Sequence, residues 1–274
     1  MTDSLPGTPP PTPPTPPQPP SSSSEEPFGA LQALARGWEI LLGDFVNLWL
    51  AGLLFVVVGI GVGLLGAIPC IGAFFSIAST LFVTPQLYTG LLHVALRRTD
   101  GASVQPLDLF EGFRSKFVQS LVAFLPLWGI ILIVTVPLFL LIIGGMSLST
   151  DAAPNEDVVA ILVFLLFMSP AYLFLAVVCL FFIFVPAVIW DLGVSSPALE
   201  PVKRSFRLVR DHIWTMLLLG ILIVAILTAA WIVGTLLLCV GVFVTVPAAT
   251  LWCALAVAVL YRQWTRESDV GAGN

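Results

Sequence analysis

Charged residues are scarce in this chain, since only 10% of its 274 residues are Asp, Glu, Lys or Arg. Soluble domains carry about a quarter charged residues, so this scarcity, together with 58% hydrophobic residues, excludes a soluble globular protein. Three long regions contain no charged residue, apart from one short acidic loop that interrupts the second region. These regions are Phe45–Leu96, Phe117–Thr150 with its continuation Val158–Trp190, and Ile213–Tyr261.

Each region is long enough for two membrane-spanning helices, because crossing the hydrocarbon core takes about 20 apolar residues. The sequence therefore predicts an all-α integral membrane protein with six transmembrane helices in three hairpins. A Pro/Ser-rich tail over 1–28, expected to be disordered, precedes a membrane domain over 29–266, and a short tail over 267–274 follows it. The predicted spans are approximately 45–67, 71–96, 117–143, 160–190, 213–237 and 241–262.

Basic residues are absent from the predicted hairpin tips. They lie before, between or after the hairpins, and this side of a membrane protein stays in the cytoplasm. Both termini are therefore predicted to be cytoplasmic, with the acidic loop at Asp151, Glu156 and Asp157 on the outside. The basic residues are Arg36, Arg97, Arg98, Arg114, Lys116, Lys203, Arg204, Arg207, Arg210, Arg262 and Arg266.

The segment before the third hairpin predicts a short amphipathic helix. Its apolar residues recur at helical spacing, and basic residues occupy the remaining surface. Such a helix lies at the membrane interface with its bases toward lipid headgroups, anionic ones included. The alternative is that the bases only orient the chain and bind no lipid. The apolar residues are Leu199, Val202, Phe206, Val209 and Ile213, and the bases are Lys203, Arg204, Arg207 and Arg210; residues 31–45 and 107–117 repeat this layout.

Two further residue sets mark the first hairpin. Glycines on one face of the first span, at Gly52, Gly59, Gly63 and Gly66, predict close packing of helices. Polar residues give the second span a polar side, which either lines a narrow path or supplies hydrogen bonds between helices. This second set includes Ser76, Ser79, Thr80, Gln86 and His93.

No residue set predicts catalysis. Ionisable groups within the spans are nearly absent, so we expect no catalytic residue, no enzyme activity and no cofactor. Four cysteines lack metal-binding spacing, so no metal is expected. Cys70 and Cys239 both lie near outer hairpin tips, where they either form a disulfide or serve as small apolar residues.

The membrane domain reads as one two-helix unit repeated three times. Each unit carries a proline in its second span, at Pro85, Pro186 and Pro247. In the middle unit, the 33 residues of Val158–Trp190 exceed one straight span, which predicts that Pro170 either bends the run or marks where it emerges on the outer side.

The stretch from Ala198 to Trp214, ALEPVKRSFRLVRDHIW, leads into an apolar span and carries a resemblance. Together with Tyr261-Arg262, it resembles the membrane domain attached to some bacterial glycerophosphodiester phosphodiesterases, and related stand-alone six-helix proteins of unknown function. The resemblance covers residues 29–265 and implies a bacterial inner-membrane protein without a settled activity. The phosphodiesterase catalytic domain has no counterpart in this sequence, so no catalytic residue carries over.

The expected function is that of a non-catalytic membrane scaffold or accessory subunit. The alternative is a transporter or channel for a small neutral or amphipathic solute. Membrane lipids are the expected partners, and no nucleic acid is expected. The proline-rich tail either docks a protein partner through P-x-x-P motifs or serves as a solvated spacer.

Overall fold

The structure is a computed structural model, and it describes residues 26–69, 71–148, 156–192, 197, 199–237 and 241–272. Most of the predicted tail, residues 149–155 of the acidic outer loop, Cys70 and Cys239 lie outside the described residues, whereas Glu156 and Asp157 of that loop begin α7. Within them, helices are the only regular secondary structure. They are α1 (Glu26–Gly43), α2 (Phe45–Gly66), α3 (Gly72–Ala78), α4 (Thr84–Thr99), α5 (Glu111–Ser115), α6 (Phe117–Leu148), α7 (Glu156–Phe182), α8 (Val185–Asp191), α9 (Glu200–Asp211), α10 (Ile213–Leu236) and α11 (Val242–Ala272).

Five stretches of helix are long and apolar enough to cross a membrane: Phe45–Gly66, Phe117–Pro137, Ser169–Asp191, Ile213–Leu236 and Val242–Glu267. The first has 22 residues, which corresponds to about 33 Å of helix. Large apolar side chains on these helices remain uncovered by protein. So much exposed apolar surface is incompatible with water and matches contact with lipid.

The second predicted span, 71–96, is not among these five helices. It consists of α3, a π-helical turn at Ser79–Val83 and α4, which follow one another without a gap. Serine and threonine hydroxyls in this segment bond to carbonyls of the preceding turn, and Pro85 stands in the first turn of α4 without an N–H to donate. Its polar side chains and the π-helical turn therefore separate it from the uniformly apolar helices.

Helix α11 is the centre of the bundle. In its most apolar part 50% of the residues are buried, whereas in the most apolar parts of α2 and α10 only 17% are buried. Helices α1, α2, α4 and α10 all pack against it. Small residues such as Ala254, Ala256 and Ala258 let these neighbours approach closely. The largest continuous apolar cluster of the described residues is built around this helix.

The three predicted repeats meet in this core through the segments that follow their prolines. Pro85 and Pro186 stand at the first positions of α4 and α8, where a missing N–H is tolerated. Pro247 lies inside α11. Helix α4 packs against both α8 and α11, and Phe184 contacts the ring of Tyr261 at 5.8 Å between centroids. The proline segments thus bring the three repeats together.

The middle repeat contains a helix break between α7 and α8. Helix α7 continues through Pro170 and ends at Phe182. The break falls at Ile183 and Phe184. Pro186 lies four residues after Phe182, where it has no N–H to continue the helix and its ring would clash with the Phe182 carbonyl.

Candidate functional site

Helix α9 carries the basic residues that the sequence singles out. Pro201 stands in its first turn and Glu200 precedes it, a combination that favours the start of a helix. Arg210 lies in the last turn, where a cation complements the helix dipole. The helix ends before His212, whose ring stacks on Trp264 of α11 at 4.2 Å between centroids. The end of α9 is thereby attached to the central helix.

One face of α9 packs into the protein. Pro201, Ser205 and Val209 recur every four residues and are buried. The Ser205 hydroxyl donates a hydrogen bond of 2.6 Å to the backbone carbonyl of Phe181, at the end of α7. Because this carbonyl lies where α7 breaks, Ser205 satisfies an acceptor that the helix itself leaves open. This bond fixes how α9 is rotated against α7.

The opposite face of α9 forms a shallow groove of about 450 Å³. Val202 and Phe206 line it with apolar surface, and Lys203, Arg207 and Arg210 line it with positive charge. The Phe206 ring is 50% exposed and stacks on Phe181 at 4.6 Å between centroids. Phe206 therefore has a defined position although it faces outward.

The four predicted headgroup residues do not share one surface. Lys203, Arg207 and Arg210 line the groove, whereas Arg204 is half-buried on another side of the helix. There its charge acts on Tyr261 of α11. Arg210 lies 3.6 Å from the Asp211 carboxylate, and both side chains are mostly exposed. The four-base headgroup set stays a prediction; three of its bases line the groove and Arg204 lies apart from them, because residues 203 and 204 differ by about 100° around a helix.

A second polar centre joins the ends of α4 and α8 to α11. The Asp191 carboxylate accepts a 2.6 Å hydrogen bond from the Tyr261 hydroxyl and bonds of 2.9 and 3.1 Å from Arg262. The other terminal nitrogen of Arg262 donates at 2.7 Å to Asp100, just after α4. We call these four residues, Asp100, Asp191, Tyr261 and Arg262, the carboxylate cluster. They close the bundle at the end where the basic residues collect.

Further ion pairs surround the carboxylate cluster. Arg98 approaches Asp44, between α1 and α2, at 3.7 Å. Arg97 binds Asp108 at 3.1 Å, and Asp108 also accepts from the Gln105 N–H, which caps the turn Pro106–Phe110. Bases that the sequence assigns to one membrane side therefore pair with acids of that side. These pairs join helix ends that are distant in the sequence.

Lys116 is a buried base at the start of α6. Its ammonium donates to the Leu192 carbonyl at 3.1 Å and to Gln119 Oε1 at 3.4 Å. Removal from solvent lowers the pKa of Lys116 below its ordinary value, because burial disfavours the charged form. The residue thus attaches the loop after α8 to α6.

The polar residues of the second predicted span have different environments. Ser76 is exposed, while the hydroxyls of Ser79 and Thr80 donate to backbone carbonyls of their own helix. Gln86 is fully buried and donates to the Phe117 carbonyl at 2.9 Å. His93 stacks on Trp190 of α8 at 3.9 Å between centroids. Gln86 and His93 therefore contact α6 and α8 respectively.

The four glycines predicted to pack closely also have different environments. A Cβ at Gly52 would lie 2.6 Å from the Pro247 carbonyl oxygen, so this glycine permits α2 to cross α11 closely. A Cβ at Gly66 would meet the Ser76 hydroxyl. A Cβ at Gly59 or Gly63 would have no described neighbouring atom within 4 Å. Close packing is therefore seen at Gly52 and Gly66.

Metal ligands do not gather in the part of the chain that is described, since it holds no group of three or more His, Cys, Asp or Glu side chains. The described cysteines, Cys179 and Cys253, are free thiols. Comparison of the chain with protein-family models, with curated proteins and with solved structures finds no match. The site itself is therefore the basis for any functional proposal.

Sequence reasoning missed the carboxylate cluster and the closest contact between backbones. A Cβ at Gly90 would collide with the Leu109 carbonyl, so the turn after α4 folds back against that helix. Asp191 and Arg262 are 71 residues apart, and charge patterning places them on one membrane side without pairing them. The sequence offered one signal for this cluster: single charged residues stand where the apolar runs end on the predicted cytoplasmic side.

Proposed function

We propose that this protein crosses the bacterial cytoplasmic membrane six times, with both termini in the cytoplasm. In this proposal it performs no catalysis and acts as a membrane scaffold or accessory subunit. Helix α9 faces the headgroups of the cytoplasmic leaflet. The observation that carries the proposal is the exposed face of α9, where Lys203 and Arg207 lie beside the apolar Val202 and Phe206. That combination suits a surface between headgroups and acyl chains.

Two observations support six crossings. Helix α3, the π-helical turn and α4 form a continuous helical path from Gly72 to Thr99, longer than the about 20 residues that one crossing needs. The ends of α4 and α8 also meet α11 in the carboxylate cluster, at Tyr261 and Arg262 toward the end of the apolar stretch of that helix. Helices α4 and α8 and the apolar part of α11 therefore reach the same side, as expected for three hairpins that open toward that side.

Cysteine labelling tests the topology. Single cysteines at Ser103 and Ser149, in a background without native cysteines, are treated in intact cells with a membrane-impermeant reagent. We expect labelling at Ser149, because its loop is acidic, and protection at Ser103, because its loop is basic. Labelling at Ser103 with protection of Ser149 would invert the proposed orientation.

Replacement of the four α9 bases by Gln tests the contact with headgroups. The variant should lose the extra stability that wild type has in anionic bilayers, by about 1 kcal/mol for each base at low salt and less at physiological salt. Its stability in zwitterionic bilayers should be unchanged. Labelling at Ser103 and Ser149 controls for inversion of the chain. If the stability of both proteins depended equally on anionic lipid, the bases would serve only to orient the chain in the membrane.

A transporter or channel for a small neutral or amphipathic solute is the second candidate. It is favoured by Gln86, whose side-chain oxygen is buried and has no hydrogen-bond partner among the described residues. An acceptor of this kind in a span can serve a solute or a water molecule. Proteoliposomes shrunk osmotically with graded neutral solutes test it. Re-swelling that is slowed by Gln86→Leu would support transport, and rates equal to those of empty liposomes would exclude it.

A further inference from the structure

The exposed face of α9 consists of two parallel rows. Val202 and Phe206 are four residues apart and form an apolar row, while Lys203 and Arg207 form a basic row beside it. Residues at this spacing lie above one another on a helix, so the rows run side by side along its axis. The groove therefore presents a strip of apolar surface next to a strip of positive charge.

The positive charge of the basic row is not neutralised by the protein. Among the residues that the structure describes, Lys203 and Arg207 form no ion pair, whereas Arg210 is paired with Asp211. Arg204 lies outside the groove. Lys203 and Arg207 are thus the two cations that are free to bind an anionic group from outside.

The apolar row has a fixed shape. Phe206 stacks on Phe181 of α7, and Val202 packs against the apolar cluster formed by α6 and α8. Both side chains still line the groove. A hydrophobic strip that is held in place beside two cations complements an amphiphile with an anionic head.

We infer that the groove binds one anionic phospholipid of the cytoplasmic leaflet. Its phosphate lies between Lys203 and Arg207, and the first part of one acyl chain lies along Val202 and Phe206. The volume of about 450 Å³ is within the range of small-molecule sites, so the open groove has room for the headgroup region while the chains continue into the bilayer. This inference rests on the proposed placement of α9 at the leaflet and adds a discrete site to it.

Native mass spectrometry of the full-length protein tests the inference. The protein is reconstituted in phosphatidylcholine bilayers with a minor fraction of phosphatidylglycerol, released in mild detergent at low salt, and scored for retained lipid. Wild type should retain one phosphatidylglycerol. Lys203→Gln/Arg207→Gln should bind it about thirtyfold more weakly, as expected for two headgroup contacts. The matched control, Arg114→Gln/Arg204→Gln, removes two inner bases outside the groove and should retain the lipid.

A second pair of measurements separates a lipid from a free phosphate. Phe206→Ser keeps both cations and removes the apolar surface, so it should lose the lipid at unchanged salt, provided its thermal unfolding in detergent matches wild type. Val202→Ser is used if it does not. Added inorganic phosphate should not displace the lipid from wild type. Displacement by phosphate, or retention by both serine variants, would show a phosphate site and overturn the inference.

The outcomes also separate this inference from the proposed function. If wild type retains no phosphatidylglycerol while its stability still depends on anionic bilayers, the leaflet contact stands and the discrete site is refuted. Equal retention by the groove variant and its control refutes the site as well. If the groove variant instead loses a co-purifying protein, the groove belongs to that partner and the lipid inference fails.

Discussion

The carboxylate cluster offers the sharpest test of how the repeats are held together. Asp191→Ala removes an acceptor that serves Tyr261 and Arg262 at once. Tyr261 is fully buried, so its hydroxyl loses its partner without gaining access to water. Arg262 keeps its bond to Asp100. The expected damage is therefore concentrated on one buried hydroxyl.

The magnitude follows from these environments. An orphaned buried hydroxyl costs about 1–3 kcal/mol. The Arg262 side chain is 25% exposed and keeps one carboxylate, so loss of the other adds about 0–1 kcal/mol. We expect Asp191→Ala to lower the free energy of unfolding by about 3 kcal/mol. Asp211→Ala is the control, because its pair with Arg210 is exposed to 52% and 70% and should contribute nearly nothing.

Unfolding by SDS titration, followed by tryptophan fluorescence and circular dichroism, measures these differences. In a Tyr261→Phe background the same Asp191→Ala change should cost about 1–3 kcal/mol less, because the hydroxyl has already been removed. Additive effects of the two substitutions would refute a contributing hydroxyl–carboxylate bond. If Asp191→Ala lowered the free energy of unfolding no more than Asp211→Ala does, the proposal that the cluster stabilises the bundle would be refuted.

Three further predictions concern packing and burial, and the same titration tests them. Gly90→Ala should cost about 3 kcal/mol or abolish folding, since its Cβ meets a backbone carbonyl, whereas Gly59→Ala should be neutral or slightly stabilising; equal effects would contradict the packing at Gly90. Trp252→Phe removes a 2.7 Å bond to α1 and should cost about 1 kcal/mol; no loss would show that this bond does not stabilise α1 docking. Burial lowers the pKa of Lys116, so the folded state binds its proton less tightly and stability should rise with pH just below the ordinary lysine pKa; Lys116→Gln should remove that rise, and an unchanged profile would refute the assignment.

Helix positions followed well from the sequence where a polar residue interrupts an apolar run. Helices α2, α6 and α10 begin at Phe45, Phe117 and Ile213, the residues at which the charge-free runs begin. A charged or polar residue is costly in the hydrocarbon region, so it marks the end of a span strongly. The second predicted span was harder, because its polar residues bond locally and weaken the apolar signal.

Rotation about the helix axis and contacts between distant segments did not follow from the sequence. The apolar stripe of α1 was assigned to the interface as a unit, yet Leu34 and Leu41 are buried in the core while Leu31 and Trp38 are exposed. Both lipid and protein interior accept leucine, so hydrophobic periodicity cannot distinguish them. Arg204 was grouped with the groove bases for the same reason, since composition does not specify which neighbour a helix face meets.

The central position of α11 has a consequence for biogenesis. Ribosomes synthesise α11 after the four helices that pack against it, α1, α2, α4 and α10. Membrane helices insert individually and associate afterwards, so α2, α4 and α10 must wait in the bilayer, and α1 at its surface, with their packing faces covered by lipid or by an insertion factor. Final assembly is therefore a post-insertional event triggered by one late segment. Ribosome stalling before Val242 should leave an inserted but protease-sensitive intermediate.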